Sequence, residues 1–239
     1  MVTGASRGIG EEVARRLASA GYDLTITARS TDALAALSEE LTDSHQVRVG
    51  TVSADMAVED DVRSIAAAHR DAHGSLDVLV LNAGMGAIGP VADYPVRRLD
   101  KMFDINVRSA FVLIQELLPL LTASGASSPL GGKVLAVASM TGIAGEPLNS
   151  AYGATKAALI SLCETLNTEH ALEGVTATAV CPGYVATAMT QGLAETVPLD
   201  TMLPVADVAT ALMALTTITS RTVVPQLVLT RPGPHLWRA

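Results

Sequence analysis

Short apolar runs alternate with longer stretches of helical periodicity along the whole chain, and this alternation limits the fold more than any other feature. The runs Asp23–Thr27, Val47–Ser53, Asp77–Leu81, Val134–Ala138, Thr176–Val180 and Gln226–Leu229 are mostly apolar with little alternation, as strands covered on both faces are. Between them, Glu11–Ala20, Thr31–Leu41, Val58–His73, Val96–Leu121 and Ala151–Leu172 carry helical patterns. Strand–helix–strand alternation predicts an α/β fold, a doubly wound parallel sheet with helices on both faces. No linker or repeat interrupts it, so residues 1–239 read as a single domain. Ser124–Gly132 reads as a long surface connection, and 187–204, with Pro198 and Pro204 and no clear period, as a substrate lid. Only Met1 and Val2 precede Thr3-Gly4. At ~3.3 Å per residue that is short for a strand, so the first strand is expected either to be very short or to begin upstream of Met1. The tail Arg231–Ala239, with His235 and Trp237, reads either as a cover for a neighbouring subunit's pocket or as loose chain.

Composition removes several function classes. Hydrophobic residues make up 49% of the chain, enough for a large core and too many for a disordered one. A net charge of −8 leaves no basic face for general nucleic-acid binding, and 3% aromatics disfavours base- or sugar-stacking modules. Cys163 and Cys181 form no CxxC pattern and read as small buried fillers rather than a disulfide or zinc framework. His69 and His73 have a zinc-compatible spacing but no partnering cluster, so they read as a solvated helix end and no metal is expected. No apolar run approaches the ~18–20 residues that span a bilayer, and the first residues lack a signal-peptide pattern. The expectation is a cytoplasmic protein with neither membrane nor nucleic-acid partner.

Thr3-Gly4-Ala5-Ser6-Arg7-Gly8-Ile9-Gly10 runs straight into the first helical pattern. Glycines there permit a tight turn and close approach of backbone to a pyrophosphate, and the helix N-terminus offers free N–H groups to an anion. The spacing is G-x-x-x-G-x-G, and alone it is compatible with a simple helix cap. At the first helix of an alternating α/β chain it points to a Rossmann-type dinucleotide site. At the end of the next strand, where a carboxylate would bind the ribose of NAD, the chain has Ala28 and Arg29. A guanidinium suits a 2′-phosphate, with Arg7 as a second positive contact, so NADP(H) is expected over NAD(H). The bland reading of Arg29 is a solvated strand end.

Ser139 ends the Val134–Ala138 run, and Tyr152 and Lys156 are one helical turn apart on a shared face. A phenol with a pKa near ~10 is a poor acid–base group near neutrality, and an adjacent ammonium is expected to lower it. Ser139, at a strand's carboxyl end, is placed to hold a substrate oxygen. Taken singly, Ser139 reads as a cap, Asn106 as a packing polar group and Asn82 as a brace between central strands. Ser139 as a hydrolase nucleophile fails, because Val137-Ala138-Ser139-Met140-Thr141 lacks the G-x-S-x-G elbow.

In order and spacing, these motifs resemble the short-chain dehydrogenase/reductase family over nearly the whole chain. Thr3–Gly10 is similar to its cofactor turn, Asn82-Ala83-Gly84 to its fourth-strand motif, and Ser139 with Tyr152-x-x-x-Lys156 to its active-site signature. Asp104-Ile105-Asn106-Val107 and Pro182-Gly183-Tyr184-Val185-Ala186-Thr187 match two further motifs. The resemblance implies hydride transfer between a nicotinamide and a carbonyl or alcohol, with Tyr152 as acid–base, Ser139 on the substrate oxygen and Lys156 beside the tyrosine and the nicotinamide ribose. It implies that Asn106 positions a relay water, that Asp55 and Met56 meet the adenine, and that Asn82, Ala83 and Gly84 line its ribose. Pro182, Gly183, Val185 and Thr187 would border the nicotinamide. It also implies a homodimer or homotetramer built on the helices Val96–Leu121 and Ala151–Leu172.

For the substrate pocket the sequence offers Met85, Gly86, Met140, Thr141, Tyr184, Met189, Leu193 and Met202. With Glu195 and Asp200 in the lid, this favours a small to medium apolar ketone, aldehyde or secondary alcohol. Arg97, Arg98, Lys101 and Arg108 keep a 3-oxoacyl-thioester reductase as the alternative. A non-catalytic NADP-binding sensor or scaffold is the reading from another class, disfavoured because Asn106, Ser139, Tyr152 and Lys156 are all present.

Overall fold

A computed structural model describes residues 1–193 and 197–233. Glu195 of the lid, and His235 and Trp237 of the tail, lie outside the described residues. The strands are β1 Val2–Thr3, β2 Leu24–Ala28, β3 Val49–Ser53, β4 Val78–Leu81, β5 Gly132–Val137, β6 Val175–Pro182 and β7 Gln226–Leu229. The helices are α1 Gly8–Ser19, α2 Thr31–His45, α3 Glu59–His73, α4 Val96–Phe103, α5 Ser109–Ser127, α6 Ser150–His170 and α7 Val205–Thr216. All seven strands run parallel in the order β3-β2-β1-β4-β5-β6-β7. This is the single-domain, doubly wound sheet expected from the alternation.

Parallel strands need covering on both faces, and two apolar layers do so. On one side α1, α2 and α7 bury Val13, Leu17, Leu34, Leu41, Val208 and Leu212 against Val2, Ile26, Val80 and Leu135. On the other, α3, α5 and α6 bury Ile65, Leu113, Leu117, Leu121, Leu159 and Cys163 against Leu79, Val134, Ala136 and Ala179. The helical run Val96–Ser127 is long and apolar enough to cross a membrane by length and composition, contrary to the expectation of no such run. Here α5 puts its buried residues into the second layer.

Several boundaries differ from expectation for physical reasons. Among the described residues the first strand is Val2–Thr3, with Val2 pairing with Ile26 and Val80, and Thr3 with Thr27. The helix expected over Val96–Leu121 is interrupted by a π turn at Asp104–Arg108 and then continues to Ser127. Ser124–Gly132 is therefore mostly not a loop. Ser124 Oγ donates to Asp77 Oδ1, and a side chain on Gly125 would lie 2.3 Å from the Glu173 carbonyl oxygen, so this end of α5 is pressed onto the turn before β6. α7 was not anticipated. Pro225 precedes an edge strand, as its missing N–H requires.

His69 is not a solvated helix end. It is 3% exposed, with Nδ1 2.8 Å from Thr25 Oγ1 and Nε2 3.0 Å from the Ser75 carbonyl. The carbonyl can only accept, so Nε2 carries the proton and Nδ1 accepts from Thr25. Burial holds this imidazole down to about 4, below its usual 6.5. Its contribution to stability is fully present above pH 6.5 and is lost as pH falls toward 4. Urea midpoints measured across that window should drop, and the drop should be smaller in His69→Gln.

Candidate active site

The strand order reverses direction between β1 and β4, and in open α/β sheets ligands bind at the carboxyl edge at such a point. A cleft of about 780 Å³ runs along this edge. Following the strand order, it is lined first by Gly4, Ser6, Arg7, Gly8 and Ile9 and by Arg29, Asp55 and Met56. Asn82, Ala83 and Gly84 follow after β4, then Ser139, Tyr152 and Lys156, and then Pro182, Gly183, Val185 and Thr187 after β6. Of the residues singled out in the sequence for catalysis or cofactor contact, only Gly10 and Asn106 do not line it.

Gly4 and Gly8 have φ of +65° and +60°, the left-handed region that glycine adopts without strain. Gly10 is needed for closeness instead: a Cβ there would lie 2.4 Å from both the Gly4 carbonyl oxygen and Asn82 Nδ2. Asn82 braces the turn. Its side-chain amide donates to the Thr3 and Gly4 carbonyls (3.0 and 3.1 Å), while the Asn82 and Ala83 N–H groups donate to Thr3 Oγ1. α1 starts at Gly8 with no side chain capping its first turn, which leaves backbone N–H groups for an external acceptor. A close backbone cradle at an uncapped helix N-terminus fits a pyrophosphate. Arg7 and Arg29 are exposed on the cleft wall, and neither is ion-paired among the described residues. Asp55 is turned to its own backbone, its Oδ1 accepting from the Ala57 N–H at 2.9 Å.

The centre of the cleft is held by backbone-to-backbone packing. Side chains on Gly142 and Gly153 would lie 2.7 Å from the Lys156 carbonyl carbon and the Thr141 carbonyl oxygen. The turn after β5 is thereby seated on α6, which fixes Ser139 relative to Tyr152 and Lys156. Ser139 Oγ accepts from the Thr141 N–H at 3.2 Å and from Thr141 Oγ1 at 2.9 Å. With both lone pairs engaged, its own proton points toward the Tyr152 phenol and any oxygen that enters between them.

Tyr152 departs from the sequence expectation. Its ring is only partly covered, yet desolvation of the phenol pushes it up to about 12, and hydrogen bonding from Ser139 only partly opposes this. Lys156 does not lower it here: Nζ is 5.5 Å from the ring centroid and donates to the Val137 carbonyl at 2.7 Å. Burial brings the Lys156 ammonium itself down to about 8. The centre therefore holds a neutral phenol at neutral pH.

Asn106 sits in the π turn, 2% exposed. Its Oδ1 accepts from the Met85 N–H (2.8 Å), and Nδ2 donates to the Met85 carbonyl and to Thr155 Oγ1 (both 2.9 Å). It clamps the segment after β4 to α6. A Cβ on Gly84 would meet Asn106 Oδ1 at 3.5 Å and Lys156 Nζ at 3.6 Å, so both residues flank the same glycine.

On the substrate side, Met85, Gly86, Thr141, Tyr184, Met189 and Leu193 line the cleft as expected. Met140 and Met202 do not; both are buried in the protein body. The sequence reading missed Glu146, Asn149 and, as a pocket residue, Lys101. A signal was available, since Glu146 lies in the loop bounded by Ser139 and Tyr152, on the ligand-binding edge. Among the described residues no group of three or more His, Cys, Asp or Glu is gathered to hold a metal ion.

The fold and cleft define a doubly wound α/β protein with a serine–tyrosine–lysine centre at its switch point. The family model for short chain dehydrogenases matches residues 1–198, and the chain belongs to the short-chain dehydrogenase/reductase family, whose members are oxidoreductases using nicotinamide cofactors. It is 31% identical over 192 residues to a D-beta-hydroxybutyrate dehydrogenase of Rhizobium meliloti, covering 80% of this chain and 72% of the relative. It is 33% identical over 196 residues to a 3-oxoacyl-acyl-carrier-protein reductase of Staphylococcus epidermidis, covering 82% and 78%. An alcohol dehydrogenase from the archaeon Thermococcus sibiricus, solved in complex with 5-hydroxy-NADP, superimposes with a TM-score of 0.86 at 28% identity and 97% coverage of each chain.

Replacing Gly10 with alanine forces Asn82 and the Gly4 carbonyl apart. The expected cost is about 1–3 kcal/mol of stability, read by urea denaturation, together with weakened dinucleotide binding read by calorimetry.

Proposed function

We propose that this protein interconverts a carbonyl and an alcohol with NADP(H), using Tyr152 as the proton-transferring acid–base. The observation that carries the reading is the convergence of Ser139, Tyr152 and Lys156 with the glycine turn on one cleft. When bound, the nicotinamide supplies or accepts the hydride at the substrate carbon. Ser139 donates a hydrogen bond to the substrate oxygen, keeping its proton, and stabilises charge as it develops there. Tyr152 gives its Oη proton to the same oxygen, and a phenol kept protonated is the form this step needs. Lys156, whose Nζ is anchored on the Val137 carbonyl beside Gly84, is placed to hold the nicotinamide ribose. Asn106 supports the relay side of Lys156 by fixing Met85 and Thr155.

The remaining contacts follow the cleft. Gly4, Ser6, Gly8, Ile9 and Gly10 form the pyrophosphate turn; Asp55 and Met56 meet the adenine; Ala83 and Gly84 line its ribose, with Asn82 as the brace behind them. Pro182, Gly183, Val185 and Thr187 border the nicotinamide, and 187–204 acts as the lid. Unpaired Arg7 and Arg29, with no acid at the end of β2, support NADP(H) over NAD(H), as does the NADP analogue bound by the Thermococcus relative. Exposed Phe103 and Phe111 on α4 and α5 support a homo-oligomer. A second reading, reduction of a 3-oxoacyl thioester, is favoured by exposed Lys101 at the cleft and by the acyl-carrier-protein reductase among the relatives.

Tyr152→Phe should bind NADPH within about twofold of wild type yet lose about 10²–10⁴ in turnover; near-normal turnover removes Tyr152 from the proton step. Arg29→Asp should weaken NADPH binding much more than NADH binding in parallel titrations, and an unchanged ratio removes the phosphate assignment.

A further inference from the structure

The substrate half of the cleft holds one carboxylate among the described residues, Glu146. It is partly buried, and its two oxygens are held apart by different partners: Oε1 accepts from the Tyr184 hydroxyl at 2.6 Å and Oε2 from Asn149 Nδ2 at 2.6 Å. Its neighbourhood pushes the Tyr184 phenol upward, first through burial and then through Glu146 itself. Tyr184 therefore stays protonated and keeps donating to the carboxylate. No described cation lies within ion-pairing distance of Glu146. Lys101 lines the same cleft but is exposed and makes no ion pair with it.

A carboxylate oxygen accepts more than one hydrogen bond, so each oxygen of Glu146 keeps acceptor capacity that neither Tyr184 nor Asn149 uses. Arg231 is near enough to act on Tyr184 but forms no ion pair with Glu146, so this partly desolvated acceptor is stabilised by a donor that enters the cleft. Apolar side chains of Met85, Ile88, Met189 and Leu193 line the same cleft, beside polar Thr141 and Thr190.

Resting on the carbonyl–alcohol reading above, we propose that Glu146 selects substrates that carry a second hydrogen-bond donor, a hydroxyl or an ammonium group, away from the reacting carbon. The apolar wall takes the carbon chain, and the carboxylate takes the donor. The substrate class is thus a hydroxy- or amino-substituted ketone or the matching alcohol, in place of the wholly apolar compound expected from the sequence.

The test compares kcat/KM for 2-nonanone, 8-hydroxy-2-octanone and 8-amino-2-octanone, with NADPH, in wild type and Glu146→Gln. Wild type should prefer a donor-bearing ketone over its methyl counterpart, and in Glu146→Gln that ratio should fall at least tenfold, chiefly through KM. Preference for the amine over the hydroxyl identifies a cationic substrate, and the reverse a neutral one; either supports the assignment. An unchanged ratio, or a loss equal for all ketones with a lowered urea midpoint, makes Glu146 a brace for Tyr184 and Asn149 and overturns it. Wild type that reduces none of the ketones overturns the carbonyl reading and this one with it.

Discussion

The hydrogen bonds between Thr3 and the end of β4 hold the rest of the molecule in place. Val2 and Thr3 of β1 lie at the centre of the seven-stranded sheet, between β2 and β4. The Thr3 hydroxyl accepts from two successive N–H groups of the neighbouring segment, and the Asn82 amide reaches back across to the Thr3 and Gly4 carbonyls. Buried polar groups that satisfy one another are costly to separate. The same contacts that secure the central strand shape the glycine turn, so sheet register and anion cradle are one construction.

The centre of the cleft works on a related principle. Gly142 and Gly153 bring the turn after β5 into backbone contact with α6, and Asn106 ties the segment after β4 to that helix through Thr155. The turn after β5, the segment after β4 and the π turn that carries Asn106 are thus locked to α6, which carries Tyr152 and Lys156. Positioning of this kind is set by main-chain packing, and little of it depends on the freedom of long side chains.

Much of this was legible in the sequence because the relevant signals are local. Apolar runs alternating with helical periods gave β2 to β7 within a few residues, and the spacing of Ser139, Tyr152 and Lys156 located the cleft. What was not legible depends on tertiary surroundings. The spacing of Tyr152 and Lys156 could not reveal that desolvation outweighs the cation, since burial is a property of the folded cleft. His69 looked solvated because its partners, Thr25 and the Ser75 carbonyl, sit on a strand and a turn that helical periodicity does not connect to it. Glu146 lay in plain view within the Ser139–Tyr152 loop, but its significance required Tyr184, thirty-eight positions away.

That loop has one further property. Leu148 adopts a φ of +66°, a region non-glycine residues rarely occupy and at a cost of order 1–3 kcal/mol, and its carbonyl accepts from the Gly89 N–H at 2.8 Å. The segment bearing Glu146 and Asn149 is therefore wound like a spring and latched to the strip after β4. Its shape draws on the folding free energy of the whole sheet, so a change far out in the core that loosens the frame would first be felt as a blurring of which molecules the cleft admits.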